Sequence, residues 1–224
     1  MLLSKDKKII IYIFLFVFLG SINNKHFLNS KLFEVKSLKI YGLEQNENAN
    51  LLRQIENIKN QNIFFLPKKR LIETLNSNNL IESFLISKKY PSDLNIVVKK
   101  TSFLANTIIQ GENFLIGSNK KLIKSEYIHP NLPIIFGNPP VKEFFMIKKN
   151  IFKSSFNLKD IRKLYFFSSK RWDLELVNGT LIKLPATNSV EALNNYFDIK
   201  GLSQFDNVKI FDMRIKKQII INEQ

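Results

Sequence analysis

The 224-residue chain is expected to be an α+β protein: an N-terminal transmembrane helix, then a β-α-α-β-β module, then a mostly antiparallel β-domain with short helices. Three observations predict this. An unbroken apolar run follows a group of lysines near the amino terminus. Residues 33–101 read as strand, helix, helix, strand, strand. Residues 104–222 are dominated by short strand-like runs punctuated by Gly, Asn and Pro. The expected segments are a cytoplasmic tail (1–8), an anchor (9–28), a first module (33–101) and a second (104–222).

Lys5, Lys7 and Lys8 precede Ile9 to Leu19, IIIYIFLFVFL. A cleaved signal peptide starts the same way but needs small residues at its cleavage site. Here the run leaves through Gly20-Ser21-Ile22-Asn23-Asn24, which offers none. Crossing a bilayer takes about 20 residues. The strictly apolar run is shorter than that; extension to Leu28 supplies the length, with Lys25 snorkelling to the interface. A buried amphipathic helix fits poorly, because the run is apolar on all sides. An uncleaved single-pass anchor is therefore expected. The three lysines keep the tail in the cytoplasm, so the rest of the chain lies outside, away from ATP and chromosomal DNA.

The net charge is +15. Such an excess suits nucleic acid or anionic lipid. The doublets Lys68-Lys69, Lys88-Lys89, Lys99-Lys100 and Lys148-Lys149 are scattered along the chain, however, and no aromatic RNA-binding signature accompanies them. No nucleic-acid partner is expected. The absence of cysteine excludes disulfides, thiolate metal sites and cysteine nucleophiles. His26 and His129 have no partner at metal-ligand spacing. No cofactor, metal or catalytic residue is expected.

The first module opens with Val35 to Gly42, a strand placing Leu38 and Ile40 on one face and ending at a glycine turn. Asn48 to Ile58 carries Leu51, Leu52, Ile55 and Ile58 as an amphipathic helical stripe, with Asn48 or Asn50 as cap. Ile63-Phe64-Phe65-Leu66 is stopped by Pro67. A second helix, Lys68 to Asn76, turns Leu71, Ile72 and Leu75 inward. Ile81 to Tyr90 and Asp93 to Val98 form two extended runs around the Pro91 turn.

In the second module, Thr107–Gln110 and Phe114–Ile116 flank Gly111-Glu112-Asn113, followed by strand-like Lys121–Ile123 and Leu132–Gly137. Helices are expected at Glu143–Ser154 and near Leu158–Leu164. Arg171 to Pro185 alternates on both sides of Asn178-Gly179, a β-hairpin. A two-residue loop would oppose Glu175 to Ile182 and Leu174 to Lys183, mixing polar and apolar on both faces. A three-residue loop, Val177 to Gly179 with Gly179 left-handed, pairs Leu174 with Ile182 and Trp172 with Leu184 on one apolar face, and Asp173 with Lys183 on the other. That register is expected. Asp173 and Glu175 share a strand face, the arrangement of an acid pair, but read better as solvated strand positions, with Lys183 partnering Asp173. Asn188 to Phe197 is a helix burying Val190, Leu193 and Phe197. Val208–Ile215 and Gln218–Ile221 are the last strands.

The strand ending in Ile40-Tyr41-Gly42, the Ile63–Leu66 segment and LISKKYPSDLNIVVKK (Leu85 to Lys100) resemble a POTRA domain. Lys100-Thr101-Ser102 stands where POTRA modules often place an acidic residue and a proline. The tryptophan-bearing hairpin closed by Leu184-Pro185, a helix with Ala192-Leu193, and Asp212-Met213-Arg214 resemble the distal β-domain of the FtsQ/DivIB division proteins. The order anchor, POTRA, β-domain covers the whole chain. The short apolar run and Lys216-Lys217 depart from the pattern.

The resemblance implies a non-catalytic scaffold of the bacterial divisome. It would lie in the inner membrane at the septum, bridge early and late division proteins, and bind an FtsB/FtsL-like pair. The alternative is a membrane-anchored module binding cell wall or lipid. The chain stops at Gln224, so Gln218, Ile219, Ile220 and Ile221 are expected on a sheet edge, without gatekeeping charge. The resemblance implies that a partner strand completes that edge, with Arg214, Ile215 and Lys217 beside it. Arg214 suits a carboxylate on an acidic partner; Lys170 and Arg171 are weaker candidates for the same role.

Overall fold

The computed structural model describes residues 5–22, 31–202, 205, 207–215 and 218–222. The chain divides into two compact units, Met1–Lys100 and Thr101–Gln224.

The first unit begins with α1 (Lys5–Ile22). Its side chains from Ile9 to Leu19 are exposed on every side, Phe16 at 79%. Among the described residues no helix is long and apolar enough to cross a membrane: α1 spends its first turn on Lys5-Asp6-Lys7-Lys8. The remainder of the expected anchor, 23–28 with Lys25, lies outside the described residues.

A three-stranded sheet follows in the order β1-β3-β2, with β1 (Ser37–Tyr41) parallel to the central β3 (Asp93–Lys100) and β2 (Ile81–Lys89) antiparallel to it. A parallel pair needs a long crossover, and α2 (Gln45–Gln54) and α3 (Lys68–Ser77) supply it. Leu38 and Ile40 meet Leu94 and Ile96 in register and share a core with Leu51, Ile55, Leu71 and Leu75. The expected β-α-α-β-β order holds, with three local differences. The first helix starts at Gln45, because the Glu47 carboxylate accepts from the Glu44 N–H (3.0 Å); Asn48 instead donates to the Leu43 carbonyl (2.9 Å). That helix ends at Gln54, and a short 3-10 turn, Glu56–Ile58, carries Ile58 inward. Ile72 points outward at 40% exposure, since Leu71 and Leu75 already fill the i, i+4 seam.

The second unit is built on one nine-stranded sheet, ordered β12-β11-β10-β9-β8-β7-β4-β5-β6. The strands are β4 (Phe103–Ile109), β5 (Glu112–Gly117), β6 (Leu122–Lys124), β7 (Ile134–Phe136), β8 (Ile161–Phe166), β9 (Trp172–Leu176), β10 (Leu181–Lys183), β11 (Ile210–Asp212) and β12 (Ile220–Asn222). Pairings are antiparallel except β4 with β7, β7 with β8 and β10 with β11, so the domain is mostly antiparallel as expected. Helices α4 (Val141–Lys153) and α5 (Ser189–Lys200) contribute Phe144, Ile147, Ile151, Leu193 and Tyr196 to a core with Leu164, Leu174, Ile182 and Phe211.

The helix expected near Leu158–Leu164 is a single 3-10 turn, Leu158–Asp160, followed by β8. Ile161 and Leu164 are spaced like a helical stripe, yet they pair with Leu176 and Leu174 across a register shift between Ile161 and Lys163. The extra residue of a bulge lets positions three apart share one strand face, which reproduces the helical spacing. α5 also turns differently from expectation: Ala192, Leu193 and Tyr196 are buried, Val190 is half-buried, and Phe197 is 39% exposed.

The hairpin register is the expected one. Leu174 faces Ile182 and Asp173 faces Lys183, the Leu184 N–H donates to the Trp172 carbonyl (3.0 Å), and Gly179 is left-handed at φ +86.

Candidate functional site

β12 ends the sheet, paired within the described residues only with β11, where Phe211 faces Ile221. The backbone directions follow from the neighbouring ladder. The Lys209 carbonyl accepts from Leu181 N–H (2.8 Å) and Met213 N–H donates to the Lys183 carbonyl (3.0 Å). Odd positions of this stretch therefore turn toward β10, and Ile210 and Asp212 turn toward β12, opposite Asn222 and Ile220. Between those two, Ile221 directs its N–H and C=O away from the sheet. An open edge of this kind is a template for another strand. Ile219, Ile220 and Ile221 are 37%, 56% and 40% exposed and carry no charge. The opposite edge, β6, differs: Lys124 sits there in an ion pair with Glu112 (2.6 Å), a charge of the sort that discourages edge pairing.

Beside the β12 edge, α5 and residues 213–215, 218 and 219 line a groove of about 420 Å³. Ala192, Ile199, Met213, Ile215 and Ile219 give it apolar walls, while Glu191, Asn195 and Asp198 supply polar ones. The α5 wall was missed from sequence. Its signal was the i, i+4, i+7 spacing of Glu191, Asn195 and Asp198, which puts them on one helix face.

Of the expected site residues, Arg214, Ile215, Gln218 and Ile219 line this groove, and Ile220 and Ile221 form the edge. Lys217 lies outside the described residues. Lys170 and Arg171 do not line the groove. They belong to the β8–β9 turn, where Lys170 is left-handed (φ +59) and Arg171 lies 4.3 Å from the Phe167 ring centroid and donates to Asp173 (3.2 Å). Arg214 is committed within the chain: its Nε meets Asp212 Oδ1 at 2.7 Å, and Nη2 bonds the other oxygen. The Arg214 hydrogen bond, against the cost of burial, holds the Asp212 carboxyl below its ordinary range.

Asp173 and Glu175 are not the solvated positions expected. Asp173 is 5% exposed; burial pushes its carboxyl up by more than Arg171, Lys183 and Arg214 pull it down. Burial also pushes Glu175 up, but hydrogen bonds from Arg162, Tyr165 and Lys163 outweigh it and hold the carboxyl at about 2. Tyr165 donates to Glu175 at 2.7 Å and Lys163 reaches it at 3.2 Å. Both carboxylates are thus engaged by cations on neighbouring positions, an arrangement that serves the sheet. Because the Glu175 pKa is depressed on folding, its stabilisation is fully present above the ordinary value of 4.5 and is lost as pH falls toward about 2. Urea midpoints measured across that window should fall steeply for the native chain and less so for Glu175→Gln; parallel curves would contradict this role.

A POTRA domain model, FtsQ-type, matches residues 33–100, and a model of the cell division protein FtsQ/DivIB, C-terminal, matches residues 108–214. The chain is 32% identical over 133 residues to the cell division protein DivIB of Clostridium botulinum (strain Loch Maree / Type A3), covering 59% of this chain and 52% of that protein. It is 26% identical over 195 residues to the cell division protein FtsQ of Rickettsia bellii (strain RML369-C), covering 85% of this chain and 73% of that protein. The match thus spans about half the length of the DivIB relative. The solved major extracytoplasmic domain of DivIB from Geobacillus stearothermophilus superposes with a TM-score of 0.36 at 11% identity, over 46% of this chain and 92% of that one, and adds nothing to the assignment. The two family models, in the order of the two folded units, show that the chain belongs to the FtsQ/DivIB family of cell-division proteins.

Proposed function

We propose that this chain is a non-catalytic, membrane-anchored scaffold of the divisome that holds an FtsB/FtsL-like pair by β-strand addition at β12. The observation that carries the docking mode is the outward-facing Ile221 backbone on an uncharged edge, beside the α5 groove. The matched family region ends at Arg214, before β12, so this part of the reading rests on the geometry of this chain. In the proposed complex the partner strand pairs with β12 and sends a side chain into the groove. Arg214 stands at its wall with Nη1 left for a partner carboxylate, since Nε and Nη2 serve Asp212. Depletion of the protein from cells is expected to give filaments, and cells that keep dividing at normal length would contradict a divisome role.

The anchor reading is supported by apolar side chains exposed all round α1, which water tolerates poorly, and by the basic tail ahead of it. In this topology the N-terminus is cytoplasmic and the chain after about residue 28 lies outside, at the septum. A reporter active only outside the cytoplasm, fused after residue 101, should be active, with Met1 to Leu28 retained in the mature protein. A soluble form beginning near residue 22 would identify a cleaved signal instead.

A further inference from the structure

Helix geometry brings three lysines of α4 onto one face. Along α4, Phe144, Ile147 and Ile151 face the core. Lys142, Met146, Lys149, Phe152 and Lys153 recur at i, i+4, i+7, i+10 and i+11, and so form one stripe on the opposite side, with half-buried Phe145 at its border, packed against the core. Phe152 is 87% exposed and Met146 52%. Lys142, Lys149 and Lys153 are exposed, and none enters an ion pair among the described residues. Two further ammonium groups, of Lys120 and Lys148, lie 5.6 and 5.8 Å from the Phe145 ring centroid. Glu143 is the acid of this helix and lies off the stripe.

A helix facing plain water has no use for a bare phenylalanine and methionine between unpaired cations. A surface that presents negative charge above an apolar layer satisfies both at once. A nucleic acid or another soluble polyanion would engage the lysines and leave Phe152 and Met146 in water. We propose that the α4 stripe docks on an anionic lipid surface, with Lys142, Lys149 and Lys153 on the headgroup phosphates and Phe152 and Met146 in the acyl boundary. This site is distinct from the β12 edge and does not depend on the scaffold reading.

The chain has no cysteine, so Ser155→Cys, exposed just beyond the stripe, gives a single site for a bimane label. Val177→Cys, 63% exposed at the hairpin tip, gives a reference site. The full chain is reconstituted into vesicles carrying nitroxide lipid, either pure phosphatidylcholine or with phosphatidylglycerol added. In the anionic vesicles quenching at 155 should exceed that at 177 at least about fivefold, and in phosphatidylcholine the excess should vanish. Lys142→Glu with Lys149→Glu and Lys153→Glu should remove the excess, while Trp172 emission confirms the fold. Equal quenching at the two sites, or the same excess in neutral lipid, would overturn the proposal. So would a label that responds to added DNA and not to anionic vesicles.

Discussion

A chain lacking residues 218–224 is expected to lose the FtsB/FtsL-like pair, with affinity down at least about hundredfold in a pull-down or titration, while the first unit stays folded. Strand addition draws its affinity from main-chain hydrogen bonds, and this deletion removes the edge that makes them. A deletion also strips Ile221 from its place opposite the fully buried Phe211, so a gentler variant is needed beside it. Ile221→Pro is that variant. Proline lacks the N–H, but at position 221 the N–H points away from β11, and edge strands accept proline on their solvent side. Ile221→Pro should therefore keep the β11–β12 ladder and the urea midpoint close to native, yet lose the partner. Ile220→Pro, whose N–H faces β11, should instead loosen β12 itself. A chain truncated before 218 that stays folded and binds at full strength would put the docking site elsewhere. Full binding by Ile221→Pro would show that strand addition is not the mode.

Gly42→Ala is expected to cost the first unit about 3–5 kcal/mol, the sum of a left-handed backbone penalty and an overpacking penalty. Gly42 has φ +106, and a Cβ there would lie 1.7 Å from the Val98 carbonyl oxygen and 2.8 Å from its carbon. Those atoms are backbone of β3, the central strand, so relief requires pulling β1 from β3. For a domain stable by about 5–15 kcal/mol, that loss is a large part of the whole. Gly179 makes the contrast. It is also left-handed, at φ +86, but a Cβ there meets nothing within 4 Å, so Gly179→Val should cost only about 1–2 kcal/mol through backbone strain. Hydrogen exchange at the β1 and β3 amides reads the first variant, and urea denaturation of Trp172 emission reads the second. Loss of less than about 1 kcal/mol for Gly42→Ala would show that the turn can open without parting the strands.

Sequence alone determined the elements whose burial pattern admits one reading. Alternation around Asn178-Gly179 specified the hairpin register, because a slip of one residue would send Leu174 and Ile182 to the polar face. Leu38 and Ile40, and Leu71 and Leu75, marked inward faces correctly, and the uncharged Ile219–Ile221 run pointed to an edge. What sequence could not decide is which neighbour an element meets. β8 passed for a helix because a bulge gives Ile161 and Leu164 helical spacing. Val190 and Phe197 were expected inward on α5, where packing instead selected Ala192 and Tyr196. Arg214 looked free to grip a partner carboxylate with its whole fork until the turn after β11 committed its Nε and Nη2 to Asp212. That Lys142, Lys149 and Lys153 of α4 enter no ion pair among the described residues was decided only by the folded chain. Periodicity records how much of each element is buried, whereas strand order, bulges and charge partners arise from pairings between residues distant in the chain, and these exist only once the tertiary structure has formed.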